Sequence, residues 1–151
     1  MVTSPRRVTS EPTLLYVMKQ VELAVRSRLD DMFRPLGLTA LQYTALTVLE
    51  RHPDLTSAQL ARNSFVTAQS MADMVVALES RGLVERHRDQ ADRRRLVLAL
   101  TSDGKALLRQ HRGKVSALEQ EMLTGLSAEQ AAELRSCLLV CRANLADQPA
   151  H

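Results

Sequence analysis

The sequence has no tryptophan, and its two tyrosines and two phenylalanines bring the aromatic residues to only 3% of 151. A hydrophobic core must therefore be built from leucine, valine, alanine and methionine, a composition that favours helices over a β-sandwich. The hydrophobic fraction of 45% is enough for one buried core, whereas the length is too short for a two-domain enzyme. We predict a single, mostly helical domain.

The sequence also lacks the features of membrane, disulfide and metal proteins. No run approaches the roughly 20 apolar residues of a membrane helix, and the opening MVTSPRRVTSEP has no apolar stretch of a signal peptide. Cys137 and Cys141 are the only cysteines, and their spacing on a predicted helix suits neither a mutual disulfide nor a structural zinc site. The histidines show no ligand spacing. We expect a cytoplasmic protein that contacts no membrane and needs no metal or cofactor.

Catalytic motifs are missing as well. Serine, histidine and aspartate residues are scattered, and the sequence contains no glycine-rich phosphate loop and no prominent pair of carboxylates. We predict that the protein is not an enzyme.

Positive charge is concentrated in one segment. The formal net charge of the chain is +3, and the segment from Arg81 to Arg95 alone carries six arginines against Glu85, Asp89 and Asp92. The ordinary reason for such a run is a solvated surface, and the other is a polyanionic partner such as nucleic acid. The place of the segment in the fold decides between the two.

Apolar periodicity divides the chain into elements. Residues 1–12 are polar and form a predicted flexible arm. From residue 13 to 34 apolar residues recur at three- and four-residue spacing, which predicts a long helix ended by Pro35 and Gly37. Further helices are predicted at 39–50, 56–63, from Thr67 to a stop at Gly82, at 101–123 and at 127–145. Three of these starts carry capping boxes, which pair Thr39 with Gln42, Thr56 with Gln59 and Ser127 with Gln130.

Between Gly82 and Thr101 the spacing of apolar residues no longer follows the helical period. The segments LVERHR and RLVLAL are rich in valine and leucine and are joined by the polar DQADRR, which predicts an antiparallel hairpin with a largely covered second strand. Three short helices followed by a hairpin are typical of a winged helix-turn-helix. The turn lies at residues 63–66, with Phe65 and Val66 as expected apolar anchors.

In a winged helix-turn-helix, the second helix of the turn enters the major groove. A buried stripe that begins at Met71 leaves Thr67, Gln69 and Ser70 facing outward. Gln69 can pair with an adenine edge, and Thr67 and Ser70 can donate to phosphate or base, although capping and solvation are their alternative roles. Asp73 stays outside the predicted binding set because phosphates repel a carboxylate.

A hairpin tip has little apolar surface to bury, so arginines there do not contribute to a hydrophobic core. Because a helix-turn-helix lies just upstream, we interpret them as nucleic-acid contacts. The narrow minor groove attracts arginine in particular, because its potential is strongly negative and the guanidinium group is weakly hydrated. Asp92 lies two residues before Arg94 and is expected to hold it through a charge-assisted hydrogen bond.

The segment from Leu78 to Leu107, LESRGLVERHRDQADRRRLVLALTSDGKAL, resembles the diagnostic segment of the multiple-antibiotic-resistance regulator (MarR) family. The motifs are Leu-Glu-x-x-Gly-Leu-Val-x-Arg, an Asp-x-Arg wing tip and Leu-Thr-x-x-Gly, and VTAQSM is close to the start of the family's recognition helix. The resemblance implies a mostly α fold with a small β-hairpin. Residues 38–100 would form the winged helix-turn-helix, and 13–37 with 101–146 the dimerisation helices.

The resemblance also implies partners and residue roles. A homodimer would read double-stranded DNA at a palindromic operator, with Arg94 as the wing arginine in the minor groove and Asp92 as the carboxylate that orients it. The other implied DNA contacts are Ser57, Thr67, Gln69, Ser70, Arg86, Arg88, Arg93 and Arg95.

Many members of the family release DNA when a small, often aromatic acid binds between the dimerisation and DNA-binding parts. The candidate effector contacts in this sequence are Tyr16, Arg26, Tyr43 and His111, each of which has an equally good role as a packed or solvated residue. Other members sense peroxide through a cysteine in the first helix, and here that helix has none.

Two functions remain at this point. The leading hypothesis is a homodimeric, ligand-responsive transcriptional repressor. The alternative is a helical interaction or adaptor protein whose winged domain contacts protein rather than DNA, and it predicts that loss of the Arg94 side chain leaves binding unchanged.

Overall fold

The computed structural model describes residues 10–146, so residues 1–9 of the predicted arm lie outside the described range, and residues 10–12 form neither helix nor strand. The described chain is mostly helical with one two-stranded antiparallel sheet, which confirms the predicted fold class. No helix in this range is both long and apolar enough to cross a membrane. The helices are α1 (Leu14–Phe33), α2 (Ala40–Arg51), α3 (Ser57–Asn63), α4 (Ala68–Ser80), α5 (Ser102–Met122) and α6 (Ala128–Ala146), and the strands are β1 (Val84–Arg88) and β2 (Leu96–Leu100).

Reciprocal side-chain caps fix the starts of three helices. The Thr56 hydroxyl accepts the amide of Gln59 at 3.2 Å, and the Gln59 side chain accepts the amide of Thr56 at 2.9 Å. Each such pair satisfies two amides that the first turn of a helix leaves without partners. The same pairs form between Thr39 and Gln42 and between Ser127 and Gln130, so the three predicted capping boxes are confirmed.

The chain divides into two compact units, with the boundary inside α2 between Tyr43 and Thr44. In the first unit, α1 gives way to a short 3-10 helix that contains Pro35, and Gly37 then takes a φ of 69°. Glycine adopts this left-handed conformation without steric cost, which allows the sharp turn before α2. The rings of Phe33 and Tyr43 stack with their centroids 4.3 Å apart.

In the second unit, the helix-turn-helix and the hairpin are built around an apolar core. Helix α3 packs against α4, α4 against β1, and α5 against β2. The predicted stripe of α4 is buried at Met71, Val75 and Leu78. Val97 and Leu98 are both buried although neighbouring strand residues point to opposite faces, so the predicted cover over β2 is confirmed.

Thr101 joins α4, the hairpin and α5 at one point. Its hydroxyl donates to the carbonyl oxygen of Gly82 at 2.6 Å and accepts the amide of Gly104 at 3.1 Å. Its own amide donates to the carbonyl oxygen of Leu83 at 3.1 Å. Helix α5 therefore begins beside the point where α4 has just ended, and the Leu-Thr-x-x-Gly motif marks this junction.

Helices α1 and α6 carry apolar side chains that a single chain leaves uncovered. Leu14 of α1 is 82% exposed, and α6 buries none of its residues. Small monomeric proteins seldom leave such wide apolar faces in water. The predicted packing seam of α6 is exposed at Leu134, Leu138, Cys141 and Leu145.

We predict that Gly104→Ala destabilises the protein by about 1–3 kcal/mol, the usual cost of overpacking a tight site. A Cβ at Gly104 would clash with the backbone oxygen of Leu83, which cannot rotate away. Gly113→Ala on the same helix is the matched control, because nothing in the described chain lies within 4 Å of its Cβ position. It should stabilise the protein by up to about 1 kcal/mol through helix propensity. Urea unfolding of both variants is the measurement, and equal midpoints would contradict the contact.

Candidate nucleic-acid interface

Helices α3 and α4 and the turn between them form the helix-turn-helix. Backbone hydrogen bonds hold the turn: the amide of Ser64 donates to Leu60 at 3.0 Å and the amide of Val66 to Ala61 at 3.1 Å. Thr67 then caps α4, as predicted, by accepting the amide of Ser70 at 3.1 Å.

The predicted recognition residues lie together on the first turn of α4. Thr67, Gln69 and Ser70 are all exposed, and the Thr67 hydroxyl donates to the Ser70 hydroxyl oxygen at 3.0 Å. Ser57, the first residue of α3, is half-buried. The first turn of a helix also exposes backbone amides, so this end of α4 offers several hydrogen-bond donors to a phosphate or a base.

Asp73 has a role that the sequence analysis missed. Its carboxylate accepts a hydrogen bond from the side-chain nitrogen of Gln69 at 3.2 Å. The amide group of Gln69 is thereby oriented, and it keeps one N–H and its carbonyl oxygen for another partner. The four-residue spacing on a helix was the available signal, because it places the two side chains on one face.

The prediction that Phe65 anchors the turn is wrong. Its side chain is 65% exposed, and its φ of 54° lies in the left-handed region. That conformation costs a residue with a Cβ about 1–2 kcal/mol. The turn bends away from the core at this residue, so the ring points to solvent, while Val66 is half-buried.

The wing has the predicted hairpin form. Strands β1 and β2 pair from Val84 opposite Leu100 to Arg88 opposite Leu96. The amide of Leu98 also donates to the carbonyl oxygen of Leu55 at 2.8 Å, so the loop after α2 adds a short third segment beside β2. This contact joins the middle of β2 to the loop that leads into α3.

The tip of the wing is a turn organised by Asp92. The amide of Arg95 donates to the carbonyl oxygen of Asp92 at 3.0 Å, which places Arg93 and Arg94 at the two central positions. The Asp92 carboxylate accepts the backbone amide of Arg94 at 3.1 Å rather than its guanidinium group. The predicted side-chain contact is therefore replaced by a backbone contact, because a short aspartate side chain reaches the amide two residues later most easily.

Three of the wing arginines have partners within the protein. Arg86 donates to Glu79 of α4 at 2.7 Å. Arg95 donates to the side chain of Gln59 in α3 at 3.1 Å, and Arg88 to the carbonyl oxygen of Arg93 at 3.2 Å.

The guanidinium groups of Arg93 and Arg94 differ from these three. Within residues 10–146 neither forms an ion pair or a side-chain hydrogen bond, and both residues are exposed. Two consecutive residues at the tip therefore carry permanent positive charges that have no partner within the described chain.

A second unpredicted contact braces β1. The His87 ring nitrogen Nε2 lies 3.0 Å from a carboxylate oxygen of Asp54, in the loop after α2. Asp54 has a φ of 64°, a conformation that aspartate tolerates better than most residues. The two residues are far apart in sequence, so no local pattern signals the pair.

Two of the candidate effector residues lie on α1. Tyr16 is 58% exposed, and Arg26 donates from Nε to Glu22 at 2.8 Å. The hydrogen bond from Arg26 is the main cause that holds the pKa of Glu22 below its usual value. Tyr16 and Arg26 are ten residues apart, about 15 Å along the helix axis, so they do not meet within one chain.

The other two candidates are engaged locally. Tyr43 is buried against Phe33 in the first unit, and His111 Nδ1 lies 2.9 Å from the carbonyl oxygen of Leu107 in the second. In the part of the chain that the structure describes, no group of three histidine, cysteine, aspartate or glutamate side chains is arranged to hold a metal ion.

Known proteins resemble this chain in sequence and in structure. A model of the MarR family matches residues 36–95. The HTH-type transcriptional repressor Rv2887 of Mycobacterium tuberculosis (strain ATCC 25618 / H37Rv) is 32% identical over 131 residues, which cover 87% of this chain and 94% of that protein.

Two crystal structures extend the likeness. The Mycobacterium tuberculosis MarR family protein Rv2887, in complex with p-aminosalicylic acid, aligns with a TM-score of 0.69 at 32% identity and covers 86% of this chain and 98% of its own. The transcriptional regulator PA3341 aligns with a TM-score of 0.81 at 28% identity. The alignment covers 90% of this chain and 100% of the PA3341 chain. These relatives are transcriptional regulators and not enzymes, and with the winged helix-turn-helix described above they show that the chain belongs to the MarR family.

Proposed function

We propose that this DNA-binding regulator is a homodimeric repressor that reads a palindromic operator and is released by a small aromatic acid. The observation that carries the proposal is the pair of exposed guanidinium groups without internal partners, Arg93 and Arg94, on a wing that is braced against the helix-turn-helix. An exposed tip with two guanidinium groups that lack internal partners is suited to a polyanion.

The proposed contacts divide between two grooves. Thr67, Gln69 and Ser70 lie at the exposed start of α4 and would read base edges or phosphates in the major groove. Arg94 would enter the minor groove, where the narrow channel concentrates negative potential. Asp92 would keep the tip in shape, because it holds the backbone of Arg94.

The remaining predicted contacts would act mainly through charge. Arg86 and Arg95 are already hydrogen bonded inside the protein, to Glu79 and Gln59, so they brace the wing while adding positive potential near the DNA backbone. Arg93 would bind phosphate directly. Arg88 and Ser57 are proposed as weaker backbone neighbours.

The test is an anisotropy titration on palindromic and random duplexes at several salt concentrations. We expect a preference for the palindrome, and a slope of log K against log salt that becomes about 2 units shallower in Arg93→Ala or Arg94→Ala, one unit for each wing of the dimer. Arg94→Ala should also cost about 1–3 kcal/mol for each half-site if the side chain reads a base edge. Arg86→Ala should change the slope less.

Arg109→Ala, on the exposed surface of α5, is the control for net charge. Equal affinity for palindromic and random DNA would contradict sequence-specific regulation. Unchanged binding of Arg94→Ala would favour the adaptor alternative instead.

Dimer formation is supported by the uncovered apolar faces of α1 and α6. A two-fold dimer would present two copies of α4 about one DNA turn, about 34–36 Å, apart, which fits a palindrome. These helices belong to the predicted dimerisation ranges, 13–37 and 101–146, and residues 38–100 to the predicted DNA-binding part.

We predict a dimer mass in light scattering at micromolar concentration. Leu138→Glu should weaken self-association by more than about tenfold, because an unpaired carboxylate would be buried in an apolar seam. Val140→Glu is the matched control on the same helix, since Val140 is 61% exposed and lies outside the seam. A monomeric wild-type protein, or equal effects of the two substitutions, would contradict the proposed interface.

Release by an aromatic acid is proposed from the relative that was crystallised with p-aminosalicylic acid. The proposed contacts remain Tyr16, Arg26, Tyr43 and His111. Among them only Arg26 carries a permanent positive charge, and a ligand carboxylate would compete with Glu22 for it.

We predict that p-aminosalicylate binds the protein in calorimetry and lowers its affinity for the operator. Arg26→Gln should weaken ligand binding by about tenfold or more, because a charge-assisted hydrogen bond is lost. Lys19→Gln is the matched control, since Lys19 also pairs with Glu22, at 3.5 Å, on the same helix. A ligand affinity that is equal in the two variants would remove Arg26 from the proposed site.

A further inference from the structure

Phe65 is a conformational outlier in the turn of the helix-turn-helix. In the described chain only Phe65 and Asp54 combine a side chain with a positive φ, and aspartate is one of the residues that tolerate it. A bulky aromatic residue does not, and glycine would adopt the same backbone conformation without strain. The position therefore carries a cost that the turn itself does not require.

Burial does not explain the ring. Phe65 is 65% exposed, and it has no aromatic partner in the part of the chain that the structure describes. The turn is held by backbone hydrogen bonds, and the side chains of Leu60 before it and Met71 after it are buried. Next to it, the hydroxyl oxygen of Ser64 is buried with no hydrogen-bond partner among the described residues. This turn is not arranged for stability alone.

The ring stands at the end of α4 that faces DNA in the proposed function. Phe65 is two residues before Thr67, the N-cap, whose hydroxyl and those of the following exposed residues form the polar part of this surface. In the major groove, the apolar group that distinguishes one base from the others is the 5-methyl group of thymine, and phenylalanine is one of the side chains that contact it.

We propose that Phe65 contacts a thymine methyl group in each half-site and is a specificity-determining residue. This inference rests on the proposed function. The strained backbone directs the ring outward, away from the core, where a groove-bound base can cover it. The polar neighbours on α4 fix the register of the helix on the DNA, and the ring adds a preference for one base pair.

The experiment uses the full chain and the duplex that it selects from a randomised library. Each thymine of the selected site is replaced singly by uracil, which differs only by the missing methyl group. We expect one thymine in each half-site at which this change weakens wild-type binding by about three- to tenfold, in the range of one apolar base contact. Phe65→Gly should bind the unmodified site about that much more weakly and should be insensitive to uracil at that position.

Stability separates this contact from a structural role. Phe65→Gly should leave the thermal midpoint unchanged or raise it, because glycine relieves the backbone strain. Val76→Ala is the matched control: Val76 is an apolar residue of α4 that is 60% exposed, and its loss should not alter sensitivity to uracil.

The other outcomes overturn the inference, and they are distinguishable. No preference of the wild type for any selected site overturns the proposed function together with this inference. A specific site that lacks thymine, or shows no uracil effect, overturns the inference alone. A lower midpoint or a changed dimer mass in Phe65→Gly, with unchanged DNA affinity, would mean that protein covers the ring.

Discussion

The hydroxyl group of Thr101 is the contact on which the arrangement of the winged helix-turn-helix depends. It donates to Gly82, where α4 has ended, and accepts the amide of Gly104, where α5 begins, while the Thr101 amide holds Leu83 at the start of the wing. One residue thus links the end of α4, the end of the second strand of the hairpin and the start of α5. Gly104 is part of the same constraint, because the backbone of Leu83 occupies the space that a Cβ would need.

The wing extends from this junction, and contacts with other segments hold it in place. A two-stranded hairpin is only marginally stable by itself, and here pairs from three separate segments steady it: Glu79 with Arg86, Asp54 with His87, and Gln59 with Arg95. Each pair is exposed, so its contribution to stability is small. Their combined effect is to hold the wing in one orientation. The wing therefore loses less conformational entropy when a partner binds.

The sequence was sufficient for features that depend on local spacing. Helix starts followed from threonine and serine caps, and the hairpin followed from the change of period after Gly82, since both signals lie within a few residues of the structure they specify. The bracing pairs join residues such as Asp54 and His87, 33 positions apart, and only the folded chain brings them together. Phe65 was misassigned because an apolar residue in a turn normally packs inward, and a positive φ reverses its direction. The target of Asp92 was misassigned because a backbone amide competes with the guanidinium group for the same carboxylate.

Two unfavourable features lie in the turn before α4. Helices α3 and α5 begin with side-chain caps, whereas the turn before α4 keeps a strained aromatic residue and a buried hydroxyl group that has no partner among the described residues. At the wing tip, Arg93 and Arg94 are adjacent and exposed, and in the described chain neither guanidinium group has an ion-pair partner. A chain shaped for stability alone would carry glycine at the turn. Local rules of stability are broken mainly where function requires it, so these costs support the proposed DNA-binding surface. In the proposed complex, double-stranded DNA would supply negative charge to the two arginines and an apolar methyl group to the ring of Phe65.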